Sequence, residues 1–310
     1  MNDISNIMKV KDGIVGLIVG DALGVPVEFK SGYDLSQNPI TKMEGYGTYN
    51  QPAGTWSDDS AMTLATMHSI VQKQGIDYED IMDKFVAWYS EAKYMQGNST
   101  FDCGVTTSSA ISRYVGQNTP ALESGCKGER DNGNGSLMRV LPLAYVKDID
   151  YETIENVSGL THAHPRSKIA CVLYVEMAKS MLENSGWTME EHIFSACDKI
   201  KEYYKDSPEL KHFERIFNND LEIVSGKGYV ISTFEVVVRC LLITENYADA
   251  VLEAVNIGID TDTNAAICGG LAGIYYGFDS IPVDWVNEID RIDEVLSLCE
   301  RFEAFCDESQ

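Results

Sequence analysis

One stretch near the C-terminus, residues 265–277, consists of small, apolar and tyrosine side chains without a single charge. Its glycines, Gly269, Gly270 and Gly273, have poor helix propensity, so intrinsic preference alone would not make this stretch helical. Small side chains on every face suit a helix only where neighbouring helices approach it closely from several directions. The stretch therefore predicts a central helix that other helices surround.

Apolar residues elsewhere in the chain recur at helical spacing, and no run shows strand-like alternation of any length. In residues 4–23 they are accompanied by Gly13, Gly16 and Gly20, which would let a second helix approach closely. We find no repeat, low-complexity tract or linker, so the sequence predicts an all-α fold. We expect a single compact, orthogonal multi-helix domain over residues 1–310. The predicted helices cover residues 4–23, 57–75, 78–89, 109–115, 151–160, 167–182, 188–204, 209–217, 232–244, 247–258, 282–288 and 291–305.

The balance of charge limits the classes of partner. With 48 acidic and 24 basic residues the formal charge is −24, which repels phosphate backbones and anionic lipid. The apolar runs are shorter than the roughly 20 residues that span a bilayer. The eight cysteines form no CxxC pair, and the first residues lack the basic region of a signal peptide. We therefore expect a cytoplasmic monomer with reduced thiols that binds neither nucleic acid nor membrane.

Two acidic clusters about two hundred residues apart each precede a predicted helix. The first is Ser57-Asp58-Asp59-Ser60 and the second is Asp260-Thr261-Asp262-Thr263. Ser, Thr and Asp at helix starts cap free N–H groups, so one such cluster is explained by capping. Two carboxylates within three residues exceed what a cap needs, and a bound cation would remove their repulsion. Carboxylate and hydroxyl oxygens favour Mg²⁺ or Mn²⁺ over zinc.

Other residues with functional chemistry lie between these clusters. Asp21 and Glu28 are carboxylates in apolar surroundings, which is typical either of a satisfied polar pair or of a functional site. Residues 30–52 are predicted to form a long irregular loop, as in a lid. The Gly-rich residues 133–136 are predicted to enter a helix, an arrangement that caps the helix or binds an anion. His162 and His164 fit capping or ligand hydrogen bonding better than a zinc site.

In combination these motifs resemble the ADP-ribosylglycohydrolase family, over most of the chain from Gly16 to about Gly277. The motifs that carry the resemblance, in the family's order, are Gly20-Asp21-Ala22-Leu23-Gly24 with Glu28, Ser57-Asp58-Asp59-Ser60, Asn134-Gly135-Ser136-Leu137-Met138-Arg139, His162-Ala163-His164 and Asp260-Thr261-Asp262-Thr263-Asn264-Ala265-Ala266. Ser57 and Ser60 stand where threonine is frequent in the family. Ile259 stands where glycine is frequent. This difference leaves the types of metal ligand unchanged but affects the conformation expected for the local backbone.

The resemblance implies an all-α fold with two Mg²⁺ or Mn²⁺ ions and assigns roles to individual residues. Glu28 would be a ligand or acid/base group beside the ions, and Asp102 would face the ribose. The implied metal ligands are Ser57, Asp58, Asp59, Asp260, Asp262 and Thr263. The implied substrate-binding residues are Asn134, Gly135 and Ser136, for diphosphate or ribose, and His162 or His164, in the ADP-ribose cleft.

The activity implied by the resemblance is hydrolysis of the bond between ADP-ribose and an acceptor. Asp102-Cys103-Gly104 resembles an element of the bacterial members and favours ADP-ribosylated arginine on protein. Serine-linked, polymeric or O-acetyl ADP-ribose are alternatives with the same chemistry. A non-catalytic ADP-ribose binder or structural protein, and a metal-dependent phosphohydrolase, are alternatives of other classes; the latter would need more basic groups around its phosphate.

Overall fold

The structure is a computed structural model that describes residues 10–308, and these form α-helices and short 3₁₀ helices without a strand. The all-α prediction is confirmed. The helices are α1 (Val10–Gly24), α2 (Gly32–Gln37), α3 (Asp58–Lys73), α4 (Tyr78–Glu91), α5 (Val105–Gln117), α6 (Ala121–Ser124), α7 (Tyr151–Gly159), α8 (Pro165–Glu183), α9 (Met189–Tyr203), α10 (Glu214–Phe217), α11 (Val230–Ile243), α12 (Tyr247–Asn256), α13 (Thr261–Tyr276), α14 (Val283–Glu288) and α15 (Ile292–Glu308).

The small-residue stretch lies in α13, which is buried from Thr261 to Gly273 and packs mainly against α1 and α12. The predicted central helix is therefore present. Two fully buried tyrosines donate hydrogen bonds from their hydroxyl groups to backbone carbonyl groups of α13 and α1. Tyr174 donates to Ile267 in α13 at 2.9 Å, and Tyr247 donates to Gly16 in α1 at 2.6 Å. These bonds tie α8 to α13 and α12 to α1 within the core.

Helices α1 and α13 run antiparallel with their backbones in contact. A Cβ atom added at Gly20 would lie 2.2 Å from the carbonyl oxygen of Ala265. A Cβ atom at Gly24 would lie 2.3 Å from the Cα atom of Asp262. Both distances are below any real van der Waals contact, so only glycine fits at these positions. The last turn of α1 therefore fixes the first turn of α13, where the second acidic cluster lies.

Three predicted elements differ from those observed. The predicted loop at residues 30–52 contains the short helix α2, which Ser31 caps. Residues 209–217 form a 3₁₀ helix, Pro208–Phe213, followed by the single turn of α10. Ser136 is followed by two 3₁₀ helices, Leu137–Arg139 and Leu141–Tyr145, in place of the predicted α-helix. Pro142 accounts for the last difference because it cannot donate the hydrogen bond that a continuing helix requires. The part of the predicted first helix at residues 4–9 lies outside the described residues.

Among residues 10–308 every helix is too short or too polar to cross a bilayer. The eight cysteines are free thiols, and all but Cys103 are buried.

The contact between α1 and α13 leads to the first prediction. Gly20→Ala should lower the free energy of unfolding by about 3 kcal/mol, because the added methyl group overpacks two helix backbones. Gly116→Ala is the matched control, since Gly116 lies in α5 with nothing within 4 Å of the added Cβ. The control should gain up to about 1 kcal/mol from helix propensity. Urea denaturation measures both variants, and equal effects of the two would contradict the account.

Candidate metal centre and substrate cleft

The first acidic cluster forms the start of α3. Ser57 is the N-cap: its hydroxyl oxygen accepts from the Asp59 N–H at 3.3 Å, and the hydroxyl lies 2.9 Å from Asp59 Oδ2. The capping interpretation is thus correct for Ser57. Capping does not explain why the two carboxylates of the first turn, Asp58 and Asp59, are buried.

Asp21 holds this turn in place from α1. Its carboxylate accepts from the Ser57 N–H at 2.9 Å, the Ser60 N–H at 3.0 Å and the Ser60 hydroxyl at 2.6 Å. The sequence marked Asp21 only as a carboxylate in apolar surroundings and gave no partner for it. Its function in the structure is to orient the start of α3, because its oxygens are already engaged by these donors.

The second acidic cluster forms the start of α13, and here the capping interpretation fails. Asp260 occupies the N-cap position, yet its side chain accepts no capping hydrogen bond. Its Oδ2 atom instead accepts from Asn134 Nδ2 at 2.7 Å. The Thr263 hydroxyl lies 3.4 Å from Asp59 Oδ2. The two clusters, distant in sequence, are therefore in direct contact.

The carboxylates converge in two groups that share Asp262. In one, oxygen atoms of Asp21, Asp59 and Asp262 all lie within 4.8 Å of one another; in the other, those of Glu28, Asp102 and Asp262 do. Three oxygens have no hydrogen-bond partner among the described residues although they are buried: Glu28 Oε2, Asp59 Oδ1 and Asp262 Oδ2. Buried polar atoms are normally satisfied, so three unpartnered oxygens at one place fit a site for a cation.

Burial and mutual repulsion oppose ionisation of these carboxylates. Burial, with the nearby Asp102 charge, raises the pKa of Glu28 to about 9. Burial raises the pKa of Asp260 to about 6, against hydrogen bonds from Asn134 and Thr263. The pKa values of Asp59 and Asp262 also lie well above the usual range, first through burial and then through neighbouring carboxylates. A divalent cation among these groups would favour their charged forms.

The donor set fits Mg²⁺ or Mn²⁺. It consists of carboxylate and hydroxyl oxygens, and no histidine or cysteine belongs to either converging group of described residues. Hard oxygen donors are those that these two cations prefer.

A cleft of about 290 Å³ opens above the carboxylates. Four acidic side chains line it, and among the described residues no Lys or Arg does; the acidic residues are Glu28, Asp58, Asp102 and Asp260. Tyr49, in the loop at residues 38–57, lies beside Glu28: its ring packs on Phe101 at 4.8 Å between centroids, and its hydroxyl favours the ionised form of Glu28. An adjoining cavity of about 350 Å³ shares Gly133 and Gly228 with the cleft, which makes the groove elongated.

The remaining predicted site residues separate into two groups. Asn134, Gly135 and His162 line the cleft. Ser136 is fully buried and its hydroxyl accepts from the Ser158 hydroxyl at 2.9 Å, away from the cleft lining. His164 caps α8 by accepting from the Arg166 N–H at 3.2 Å and does not line the cleft. With no α-helix after Ser136, the predicted helix N-terminus for an anion is not formed there.

Ile259, which precedes the second cluster, has a φ of 71°. This left-handed conformation is strained for a β-branched side chain. Two short hydrogen bonds enforce it: the Ile259 N–H donates to Lys30 O at 2.7 Å and the Phe29 N–H donates to Ile259 O at 2.6 Å. These hydrogen bonds, at the cost of the strain, hold the segment that carries Glu28 beside Asp260.

Comparison with known proteins identifies the family. The profile of the ADP-ribosylglycohydrolase family matches residues 3–310. This chain belongs to that family. Its members are enzymes that cleave glycosidic bonds, and the resemblance seen in the sequence motifs is confirmed.

Two relatives whose names state their activity match most of the chain. The ADP-ribosyl-[dinitrogen reductase] glycohydrolase of Rhodospirillum rubrum is 30% identical over 283 residues, which cover 89% of this chain and 88% of that protein. The ADP-ribosylarginine hydrolase Tri1 of Serratia proteamaculans (strain 568) is 27% identical over 300 residues, 94% and 78% of the two chains. A solved structure of an ADP-ribosylglycohydrolase-related protein complex superposes with a TM-score of 0.79 at 26% identity, over 98% and 100% of the chains.

The strain at Ile259 leads to the second prediction. Ile259→Gly should leave the free energy of unfolding unchanged or raise it by about 0.5 kcal/mol. Relief of roughly 1–2 kcal/mol of strain exceeds the entropy that glycine adds to the unfolded chain. Ile257→Gly is the control, because Ile257 has an ordinary φ of −64°. The control should lose about 2–3 kcal/mol with its side-chain contacts. Equal losses in thermal unfolding would show that Ile259 is not strained.

Proposed function

We propose that this protein is a metal-dependent hydrolase that cleaves the bond between ADP-ribose and an arginine side chain of a modified protein. The observation that carries the metal dependence is the convergence of three buried, unpartnered oxygens, on Glu28, Asp59 and Asp262. Proteins rarely bury such atoms without a ligand, and here the neighbouring groups are acidic as well. Family membership supplies the reaction class.

Two cations, Mg²⁺ or Mn²⁺, are supported by the two carboxylate groups that share Asp262. The residues that we propose would hold them are Ser57, Asp58, Asp59, Asp260, Asp262 and Thr263. Of these, Asp59 and Asp262 belong to the converging groups, and the other four are proposed from the sequence motifs. When bound, such ions orient the hydroxyl groups of a ribose and lower the pKa of a coordinated water. Asp21 supports the set from behind through its hydrogen bonds to Ser57 and Ser60.

Glu28 is placed to accept a proton at the open side of the centre. In the reaction the bond from ribose C1″ to the guanidine nitrogen breaks, and the oxygen of a water bonds to C1″. One proton of that water goes to Glu28 Oε2, and Glu28 passes this proton to the leaving guanidine nitrogen, which regenerates the carboxylate. A carboxylate oxygen of Asp102 lies within 4.8 Å of one of Glu28, and the negative charge of Asp102 would stabilise the positive charge that develops at C1″.

The charge of the cleft favours arginine as the acceptor. A guanidinium group is cationic, and its place in the cleft would be lined by four carboxylates without a competing Lys or Arg among the described residues; Arg130 lines the adjoining cavity instead. The Rhodospirillum and Serratia relatives agree with this choice, since one is named for dinitrogen reductase and the other for ADP-ribosylarginine. Hydrolysis of serine-linked, polymeric or O-acetyl ADP-ribose is the second candidate, because it breaks a bond to the same C1″ atom by the same chemistry.

The two alternatives of other classes are less consistent with the site. A non-catalytic ADP-ribose binder would not require buried carboxylates that repel one another, and this centre contains several. A phosphohydrolase needs cationic side chains at its phosphate, and the described cleft lining has none. The cytoplasmic location and the monomeric state stay predictions.

Substrate comparison gives the third prediction. With Mg²⁺ or Mn²⁺ the protein should release ADP-ribose from arginine-linked substrate faster than from serine-linked or O-acetyl substrate, and EDTA should abolish release. Asp260→Ala should lower kcat/KM by at least about 10³-fold, comparable with loss of one catalytic group. Asp284→Ala is the control, because Asp284 is an exposed carboxylate in the first turn of α14. Release of phosphate, or activity that persists in EDTA, would refute the proposal.

Metal binding by itself gives the fourth prediction. Calorimetry should show two Mn²⁺ ions per chain, and Asp262→Asn should weaken binding of both, because both carboxylate groups include Asp262. At a concentration one hundred times its Kd, each ion should stabilise the wild type by about 2.7 kcal/mol. Asp284→Asn should bind as the wild type does. Loss of only one ion in Asp262→Asn would show that the two groups do not share this residue.

A further inference from the structure

Arg139 is a fully buried cation that no carboxylate of residues 10–308 neutralises. Among residues 10–308 it makes no ion pair, and its Nε and Nη1 atoms have no hydrogen-bond partner. Its guanidinium group packs 4.6 Å from the centroid of the Phe85 ring. Burial lowers the pKa of Arg139 to about 10, so it remains charged at neutral pH. A buried charge without a counter-ion opposes folding, so packing alone does not explain an arginine here.

The hydrogen bonds that Arg139 does make lead towards the cleft. Its Nη2 atom donates to the Val157 carbonyl oxygen at 3.1 Å and to Thr161 Oγ1 at 2.9 Å. Thr161 Oγ1 in turn lies 2.9 Å from Nδ1 of His162. Thr161 is fully buried, so its hydroxyl hydrogen has no access to solvent.

The direction of these bonds follows from the chemistry of arginine. A guanidinium group only donates, so Thr161 Oγ1 is the acceptor in its bond with Arg139. The Thr161 hydroxyl hydrogen then needs an acceptor, and among the described residues His162 Nδ1 is the one within reach. An Nδ1 atom that accepts carries no proton, so the proton of the neutral ring is on Nε2.

The Nε2 atom faces the substrate cleft. A Cβ atom at Gly133 would lie 3.5 Å from Nε2, and one at Gly135 would lie 2.8 Å from Cε1, so the ring packs on this glycine loop. His162 lines the cleft, and within residues 10–308 Nε2 has no hydrogen-bond partner. Burial, with the charge of Arg139, lowers the pKa of His162 to about 3, so the ring stays neutral.

We propose that Arg139, acting through Thr161, holds His162 as the Nε2–H tautomer, so that the ring donates a hydrogen bond to an oxygen of bound ADP-ribose. Arg139 and Thr161 are then positioning residues and His162 is the binding residue. The choice of ligand rests on the function proposed above, whereas the tautomer does not. A neutral donor suits this cleft, because it binds an anionic oxygen without adding a positive charge that the proposed metal ions and Arg139 would repel.

The tautomer is measured directly by ¹⁵N NMR of the histidine rings in the full-length protein. The His162 signals are assigned by their loss in His162→Gln. In the wild type we expect a protonated Nε2 and an unprotonated Nδ1 at neutral pH. A protonated Nδ1, or a mixture of the two tautomers, would overturn the proposal without any reference to variants or activity.

Variants then distinguish the effect of the hydrogen-bond relay, the chain from Arg139 through Thr161 to His162, from the effect of side-chain packing. Thr161→Val removes the hydroxyl at nearly constant volume and should give a mixture of tautomers, whereas Thr161→Ser should keep Nε2–H. Arg139→Met should also give a mixture, and Arg139→Lys should retain Nε2–H because lysine likewise only donates. Ser158→Ala is the matched control: Ser158 is equally buried and its Oγ lies 3.2 Å from the His162 carbonyl oxygen, but among the described residues it makes no hydrogen bond to the His162 ring. A pure Nε2–H tautomer in both Thr161→Val and Arg139→Met would refute the relay.

Ligand binding is tested with ADP-ribose itself, added to the metal-loaded wild type. The His162 Nε2 proton resonance should shift on saturation, and Thr161→Val should bind ADP-ribose several-fold more weakly than Thr161→Ser. An unchanged resonance at saturation would refute the role of His162 as a donor to this ligand. Failure of the hydrolase proposal would be visible separately, as absence of ADP-ribose binding or release in the wild type.

Discussion

Contact between the backbones of α1 and α13 is the constraint on which the site depends. Gly20 meets Ala265 and Gly24 meets Asp262 at distances that leave no room for a Cβ atom. The same segment of α1 carries Asp21, whose carboxylate binds the first turn of α3. One close-packed helix end thus positions both acidic clusters. A small displacement between the two helices would move all the carboxylates relative to one another, because the core around them is closely packed.

The centre is assembled against electrostatic repulsion. Burial and neighbouring charges raise the pKa values of Glu28, Asp59 and Asp262, so the charged forms are disfavoured in the folded chain without a cation. Such an arrangement lowers stability and is typical of functional sites. Strain at Ile259 adds to this cost at the same place. The rigid helical core supplies the stability that offsets both, and bound divalent ions would remove the repulsion.

The central helix and the two acidic clusters were predictable because each is a local pattern: small residues throughout one stretch, and carboxylates in excess of capping. The role of Asp21 could not be predicted from the sequence, because its partners Ser57 and Ser60 lie at the start of α3, far from it along the chain. The orientation of Ser136 into the core and the capping role of His164 were equally hidden, because residue type does not reveal which way a loop side chain points. The 3₁₀ helices after Ser136 were missed although Pro142 indicates a break.

The central claim is that two divalent cations bind among these carboxylates with Asp262 shared between them. Anomalous diffraction from a crystal of the protein grown with Mn²⁺ tests it most directly. The account predicts two anomalous peaks, both in contact with Asp262, one towards Asp59 and the other towards the cleft side where Glu28 and Asp102 lie. A fully loaded crystal with a single peak, or with peaks that do not contact Asp262, would contradict it.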